Sequence, residues 1–276
     1  TQNIAQIGIN NISIKGNVLT GVSTEDAYGQ SNVNRPAYTS QPIPGAKFEL
    51  IANEDIVTGD GTVRMKAGEK LELTSDESGK IQTKLYIGSY TLRMVEVPEG
   101  YVLDTEDRPI TVEAQEQNVK EYTLPTEYYT LTRQDYDLEV TKTFSGLNFY
   151  KQDELDNIES IDSDAYADVI VGIYASEDIT NVNGTVVIPK DTLVDVVIFD
   201  KDGKGSFESE YPMGKFYAKE IATNANYELS NEKYEFETKP TDNTTERFSV
   251  NVGEIVNEAL KVTKFNFTKI EEVMID

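Results

Sequence analysis

Gly88-Ser-Tyr-Thr-Leu-Arg-Met94 and Gly214-Lys-Phe-Tyr-Ala-Lys-Glu220 decide the fold when they are read against each other. Each is a glycine followed by a run of strand-type residues. Working outward, the correspondence continues on both sides. Ala52-Asn-Glu-Asp-Ile56 returns as Ala175-Ser-Glu-Asp-Ile179, Gly61-Thr-Val63 as Gly184-Thr-Val186, and Gly79-Lys80 as Gly203-Lys204. Downstream, Tyr101-Val-Leu103 answers Tyr227-Glu-Leu229. The offset drifts only from 123 (52 to 175) to 126 (88 to 214), and the drift falls in turns. Short matches kept in one order at a nearly fixed period mark a duplicated unit. Two copies of one β-domain follow each other, with the boundary near Thr130–Asp137.

Both copies read almost entirely as strand. Alternating runs are expected at Ala46–Ile51, Lys70–Thr74, Tyr90–Val95 and Pro109–Ala114, then at Leu138–Phe144, Val169–Ala175, Val194–Phe199 and Phe216–Ile221, and last at Phe248–Val252 and Glu258–Phe267. Gly-Asp-Gly (59–61), Glu-Ser-Gly (77–79) and Lys-Asp-Gly (201–203) supply turn chemistry between them. Gln152–Tyr166 alone has a weak helical period. Short strands separated by frequent turns predict β-sandwich or barrel domains.

Composition narrows the chemistry. Among 276 residues, 49 are acidic and 25 basic, a formal net charge of −24, which repels nucleic acid and anionic lipid. Histidine and cysteine are both absent, so Ser-His-Asp and Cys-His nucleophile systems, thiolate zinc sites, disulfides and haem ligation are excluded. Calcium is the one metal the remaining ligands would suit. No apolar run is long enough to span a membrane, and Thr1–Ile9 does not read as a signal peptide. With 38% hydrophobic residues, 16 Tyr and 10 Phe, the chain can bury two cores.

Several of these stretches carry a family likeness. Pro44-Gly-Ala-Lys-Phe-Glu-Leu50, Ser78-Gly-Lys80, Gly88-Ser-Tyr-Thr-Leu92 and Pro98-Glu-Gly-Tyr101 resemble, in order and spacing, the Cna B-type (SpaA-like) modules of Gram-positive surface proteins and pilins. The likeness covers nearly the whole chain twice. It implies an all-β fold of two tandem transthyretin-like, inverse-immunoglobulin β-sandwiches. The copies are expected at 1–134 and 135–262, with 263–276 a tail or the start of a further module.

The resemblance also implies an intramolecular isopeptide bond, joining a lysine of the first strand to an asparagine of the last with help from a carboxylate. In the second copy Lys142, Glu220 and Asn257 match those positions. Burial disfavours the charge on Lys142 and leaves a free amine, while a protonated Glu220 is expected to donate to the amide oxygen of Asn257 and relay protons as ammonia leaves. Fixed proximity has to overcome the low reactivity of an amide. The plainer reading pairs Glu220 with Lys219 or Lys215 and leaves Lys142 and Asn257 as ordinary strand residues. Lys151 is a competing lysine.

The first copy departs from that pattern. Met94 stands where Glu220 stands, and methionine cannot relay a proton. Its first strand, read as Asn17–Ser23, offers Thr20 and Gly21 but no lysine, and Asn118–Leu124 is read as its closing stretch. No isopeptide bond is expected there. A bond from Lys15 or Lys47 to Asn118 would lack the acid, and Thr20 is the residue at which related modules would suggest an ester crosslink to glutamine instead. Asp200-Lys-Asp-Gly-Lys-Gly205 has half the spacing of a calcium loop but reads as a β-turn, so no metal and no cofactor is expected. Leu124-Pro-Thr126 falls short of a sortase signal, and the acidic run Asp153–Asp164 reads as a solvated insertion.

The expected role is a structural stalk segment of an extracellular, cell-wall-anchored surface protein or pilin, a non-enzyme whose neighbours are other modules of the same protein. The alternative is an adhesin module binding host matrix protein or glycan through its loops, with Tyr128, Tyr129 and Tyr150 as candidate platform residues. A hydrolase using paired carboxylates has no positive support among 49 acids.

Overall fold

A computed structural model describes residues 5–145 and 163–260. The first half begins with a long hairpin, β1 (Ile7–Ala27) and β2 (Gln30–Pro42). β3 (Lys47–Ala52), β4 (Ile56–Val57), β5 (Val63–Met65), β6 (Lys70–Thr74) and β7 (Lys80–Tyr86) follow. β8 (Gly88–Glu96), β9 (Arg108–Val112), β10 (Glu121–Thr123) and β11 (Glu127–Leu131) complete it. One sheet has the order β6-β3-β8-β9; the other is built on β1, which pairs with β10 and β11 in parallel and with β7 and β2 antiparallel. Side chains alternate in burial along Ile7–Gly16, so Ile12 and Ile14, with Tyr129 of the neighbouring β11, meet Phe48, Leu50 and Leu92 from the facing sheet in one core.

The second half repeats the plan with β12 (Asp135–Ser145), β13 (Ile170–Ala175), β14 (Ile179–Thr180), β15 (Val186–Ile188), β16 (Leu193–Phe199), β17 (Gly205–Ser206), β18 (Gly214–Ala222), β19 (Lys233–Thr238) and β20 (Arg247–Glu258). Its sheets are β17-β16-β13-β18-β19, the parallel pair β12-β20 and the small antiparallel pair β14-β15. Val171, Ile173, Val197, Phe216 and Ile255 form a second core. The repeated Glu-Asp-Ile does one job twice: Asp55 Oδ1 accepts from the amide of Ala67 and Asp178 Oδ1 from that of Lys190, both at 2.8 Å. Ile56 and Ile179 then fill their two cores.

Some expected boundaries move. Phe248–Val252 is part of one strand that runs through Glu258, so Asn257 lies inside β20 and not in a separate closing strand. The expected strand at Glu258–Phe267 falls, beyond Leu260, outside the described residues. So does most of the helix expected at Gln152–Tyr166, of which Ser163–Tyr166 is a single 3-10 turn. Asn17–Ser23 is a strand, but it is not the one equivalent to β12; that role belongs to the preceding stretch of β1.

Beyond Val18, the last β1 residue in the first core, β1 and β2 reach over the second. A bulge at Thr20, between Leu19 and Gly21, reorients the strand, and Leu19 and Tyr38 join the second core. From β2, Arg35 enters a fully buried carboxylate: Nη1 lies 2.5 Å from Asp195 Oδ1 on β16. Asp195 also accepts from the amides of Val196, Glu208 and Ser209 and from the Tyr211 hydroxyl. Arg35 pairs in addition with Glu25 and with Glu208. Between β11 and β12 the connection is equally held. The Gln134 amide donates to Gly100 O, its side chain donates to Asp242 O and Thr245 O, and the Arg133 guanidinium lies 4.0 Å from the centre of the Tyr38 ring.

Candidate functional site

Three strands bring Lys142, Glu220 and Asn257 together in the second core. Lys142 is on β12 and Asn257 on its parallel neighbour β20, where Lys142 pairs with Ile255, so the asparagine is one inward-facing position further along. Glu220 points into the same space from β18 in the facing sheet. The three are 1%, 2% and 1% exposed. Lys142 Nζ lies 3.7 Å from Glu220 Oε1, with both side chains fully enclosed, and donates to the carbonyls of Thr143 and Ile255. The Phe144 ring, 4.6 Å from Nζ to its centroid and packed on Tyr227, closes the space against water.

Burial drives the Lys142 ammonium down from 10.5 to about 8, against the pull of the Glu220 charge. Glu220 Oε2 accepts from the Asn257 amide at 2.7 Å and from the Ser230 backbone at 2.8 Å. Its Oε1 faces the lysine and has no hydrogen-bond partner among the described residues. Asn257 Nδ2 donates also to Glu228 O at 2.6 Å. A carbonyl can only accept, so the amide nitrogen must face that way and the amide oxygen must face Thr223, whose hydroxyl donates to it at 3.1 Å. This corrects one expectation: the group meeting the amide oxygen is Thr223, while Glu220 meets the nitrogen. Glu220 does not pair with Lys215, which instead reaches Glu177 at 3.6 Å. Lys151 lies outside the described residues.

The first copy has the same frame and none of the same groups. The Lys142 amide donates to Gly203 O at 2.7 Å, and the Ile14 amide to Gly79 O at 2.8 Å. Both glycines have positive φ, and an added Cβ would sit 2.3 Å from Lys142 O or 2.4 Å from Ile14 O, so the turn after the preceding strand presses directly on this position. Ile14 pairs with Tyr129 as Lys142 pairs with Ile255. The structural counterparts of Lys142, Glu220 and Asn257 are therefore Ile14, Met94 and Leu131, all buried. Reading Asn17–Ser23 and Asn118–Leu124 as the relevant strands is overturned by this register. Lys15, Lys47 and Asn118 are exposed, and Lys47 is paired with Glu96 at 2.9 Å. Thr20 is exposed beside Thr39.

Other expected sites resolve simply. Asp200 Oδ1 accepts from the amides of Asp202 and Lys204, an Asx-type turn, and Asp76 Oδ1 does the same for Ser78 and Lys80. Among the described residues no cluster of acidic side chains could hold a metal ion, and no helix is long and apolar enough to cross a membrane. Tyr128 is 69% exposed, but Tyr129 is a core residue, so the two do not form one platform; Tyr150 lies outside the described residues.

Two tandem β-sandwiches of one plan, the second with a buried Lys-Glu-Asn cluster, define the class of fold. The SpaA prealbumin-like fold domain matches residues 33–127 and 158–252, and the chain belongs to that family. Glu220 falls within the second match, whereas Lys142 and Asn257 lie outside it. Among solved structures, the Bacillus anthracis TIE protein superposes with a TM-score of 0.51 at 18% identity over 92% of this chain, which spans 34% of that one. GBS52, the minor pilin of Streptococcus agalactiae, aligns at 14% identity over 94% of this chain and all of its own, with a TM-score of 0.31. The shaft pilin SpaA of Lactobacillus rhamnosus GG aligns at 12% identity over 94% of this chain and all of its own, with a TM-score of 0.27. No curated protein sequence matches. The first of these likenesses supports the fold.

Proposed function

We propose that this chain is a structural stalk segment of a cell-wall-anchored Gram-positive surface protein or pilin, its second module locked by an autocatalytic Lys142–Asn257 isopeptide bond. The modules are taken as 1–134 and 135–262, with 263–276 leading toward a further one, and the partners are neighbouring modules of the same protein. Burial of a lysine, a glutamate and an asparagine together, on the first, middle and last strands of one module, carries the reading. Without reaction, such a cluster sets one ion pair and a few hydrogen bonds against the desolvation of two ionisable groups, a balance that is often unfavourable. The reaction happens once per molecule, so the chain modifies itself and turns nothing over. The bond would link the first strand to the last, and force applied along the chain would pass through it and bypass the hydrogen-bonded sheet.

Intact mass under denaturing conditions tests this. A species lighter than calculated by one ammonia, with the crosslinked peptide mapped to Lys142 and Asn257, is expected. An unmodified mass would leave the stalk role on the fold alone, and a loss of two ammonias would mean that the first module also reacts despite Ile14, Met94 and Leu131.

A further inference from the structure

Nucleophilic attack on an amide puts a negative charge on its oxygen, and that oxygen needs a donor already in place. In this site Glu220 cannot be that donor, because its Oε2 is occupied by the amide nitrogen and by the Ser230 backbone while Oε1 faces Lys142. The oxygen is met instead by Thr223, which follows directly on β18 and is half-buried beside β20. We propose that Thr223 is a catalytic residue of the crosslinking reaction, its hydroxyl holding the charge that develops on Asn257 Oδ1. The inference rests on the Lys142–Asn257 reading and adds a fourth side chain to it.

With Lys142 as the free amine and Glu220 as the acid, Nζ attacks Asn257 Cγ, a C–N bond forms, and the carbonyl pair moves onto Oδ1, where the Thr223 hydroxyl holds it. Glu220 delivers its proton to Nδ2 and takes one from Nζ. The pair on Oδ1 then re-forms the carbonyl, the Cγ–Nδ2 bond breaks and ammonia departs. The products are one secondary amide, one ammonia and a protonated Glu220. The hydroxyl keeps its own proton throughout, so Thr223 stabilises charge and is not consumed.

The test measures the rate of ammonia loss after a pulse of cell-free synthesis, by quenching samples in denaturant and weighing the intact chain. Thr223→Val should slow bond formation by roughly 100-fold or more, the effect of removing one oxyanion donor. Thr223→Ser should react at close to the wild-type rate, because the hydroxyl is retained. Thr223→Ala removes the hydroxyl without crowding the core and should match the valine variant; circular dichroism identical to that of unreacted Glu220→Gln shows that both have folded. A valine or alanine variant reacting at the wild-type rate would overturn the role of Thr223 while leaving the bond intact. Wild-type protein that never loses ammonia would instead remove the reaction itself. A crosslink that maps to Thr223 and is cleaved by hydroxylamine would also overturn the proposal, since the hydroxyl would then be the nucleophile.

Discussion

Replacing Arg35 by methionine removes the charged contact by which the β1–β2 hairpin grips the second half of the chain. The side chain is 12% exposed and its partner Asp195 is fully enclosed. Breaking a buried pair by deleting one member costs about 3–5 kcal/mol, because the remaining charge is left in a dry site. Four other donors stay on Asp195: three backbone amides and the Tyr211 hydroxyl. They place the loss toward the lower end, about 3 kcal/mol. The contacts of Arg35 to Glu25 and Glu208 involve half-exposed carboxylates and add at most about 1 kcal/mol. For a module of this size, roughly 3–5 °C of Tm accompanies each kcal/mol, so the transition of the second half should fall by about 10 °C. Scanning calorimetry on the full chain measures this, with Asp195→Asn and the double variant completing a cycle. The double variant should lose clearly less than the two single losses together. An Arg35→Met transition within 1–2 °C of wild type, or strictly additive losses, would refute the reasoning and make the hairpin a passive cover.

Glu220→Gln should keep the fold but leave the bond unformed. The loop between positions 142 and 257 is then unconstrained, and by analogy with a disulfide of similar loop length the second module loses on the order of 4–5 kcal/mol, read as a lower Tm and faster proteolysis; unchanged melting would count against the bond. In Asn257→Ala, which retains Lys142 and Glu220 unreacted, the lysine titrates at about 8 when folded and 10.5 when unfolded. The unfolded chain binds more protons between those values, so urea-determined stability should rise as pH goes from 8 to 10.5 and be flat below 7; a fall over that window would show that Lys142 is not desolvated. For the wild type, the fraction of free amine grows about 50-fold between pH 6 and pH 8, and the rate of ammonia loss should follow it. Met94→Glu buries a carboxylate with no lysine opposite and should cost about 3–5 kcal/mol in denaturant titration of the first half. Gly203→Ala forces a Cβ against Lys142 O and should both destabilise the second module and slow bond formation, whereas Gly184→Ala, at an open turn, should cost only its positive-φ strain.

The duplicated plan was legible because turn chemistry and strand pattern recur in one order, and the Lys-Glu-Asn set could be named because the family resemblance marks its positions: Lys142 and Glu220 sit inside expected strands, while Asn257 fell between two of them. Thr223 was not legible. It follows the end of β18, outside any repeated motif, and only the placement of β20 brings it to Asn257. β2 escaped notice for a different reason. Its sequence, Gln30-Ser-Asn-Val-Asn-Arg-Pro-Ala-Tyr-Thr-Ser-Gln-Pro42, is polar and carries two prolines, and strand character comes from pairing with β1. The turn joining them, Tyr28-Gly29 with φ of 49° and 74°, has the backbone of a tight hairpin without the usual Asn-Gly signal. Asn10-Asn11 likewise interrupts the apolar alternation of Ile7–Ile14 and hid the strand that aligns with β12. Asn10 itself is fully buried with neither side-chain polar atom bonded, a choice for which packing gives no account.

The contrast between the two modules bears on why a polar cluster occupies either. Ile14, Met94 and Leu131 fill the same three positions with apolar side chains, and the first core closes around them. Replacing a buried ion pair by apolar residues of similar volume is usually neutral or stabilising by about 1–4 kcal/mol. If thermodynamic stability of the unreacted fold were the only demand, the second module would do better with the solution its neighbour uses. On the proposed reaction the desolvation of the lysine, glutamate and asparagine would be offset, because the bond that results would no longer carry a buried ammonium. Modules joined in series share a load, so with the proposed crosslink in the second module the first would be the one left able to extend. The Arg35 clamp on β16 and the bonded segment Thr132–Gln134 address that weakness, since they tie the long hairpin of the first module and the connection after it to the second module, whose β12 and β20 the Lys142–Asn257 bond would join.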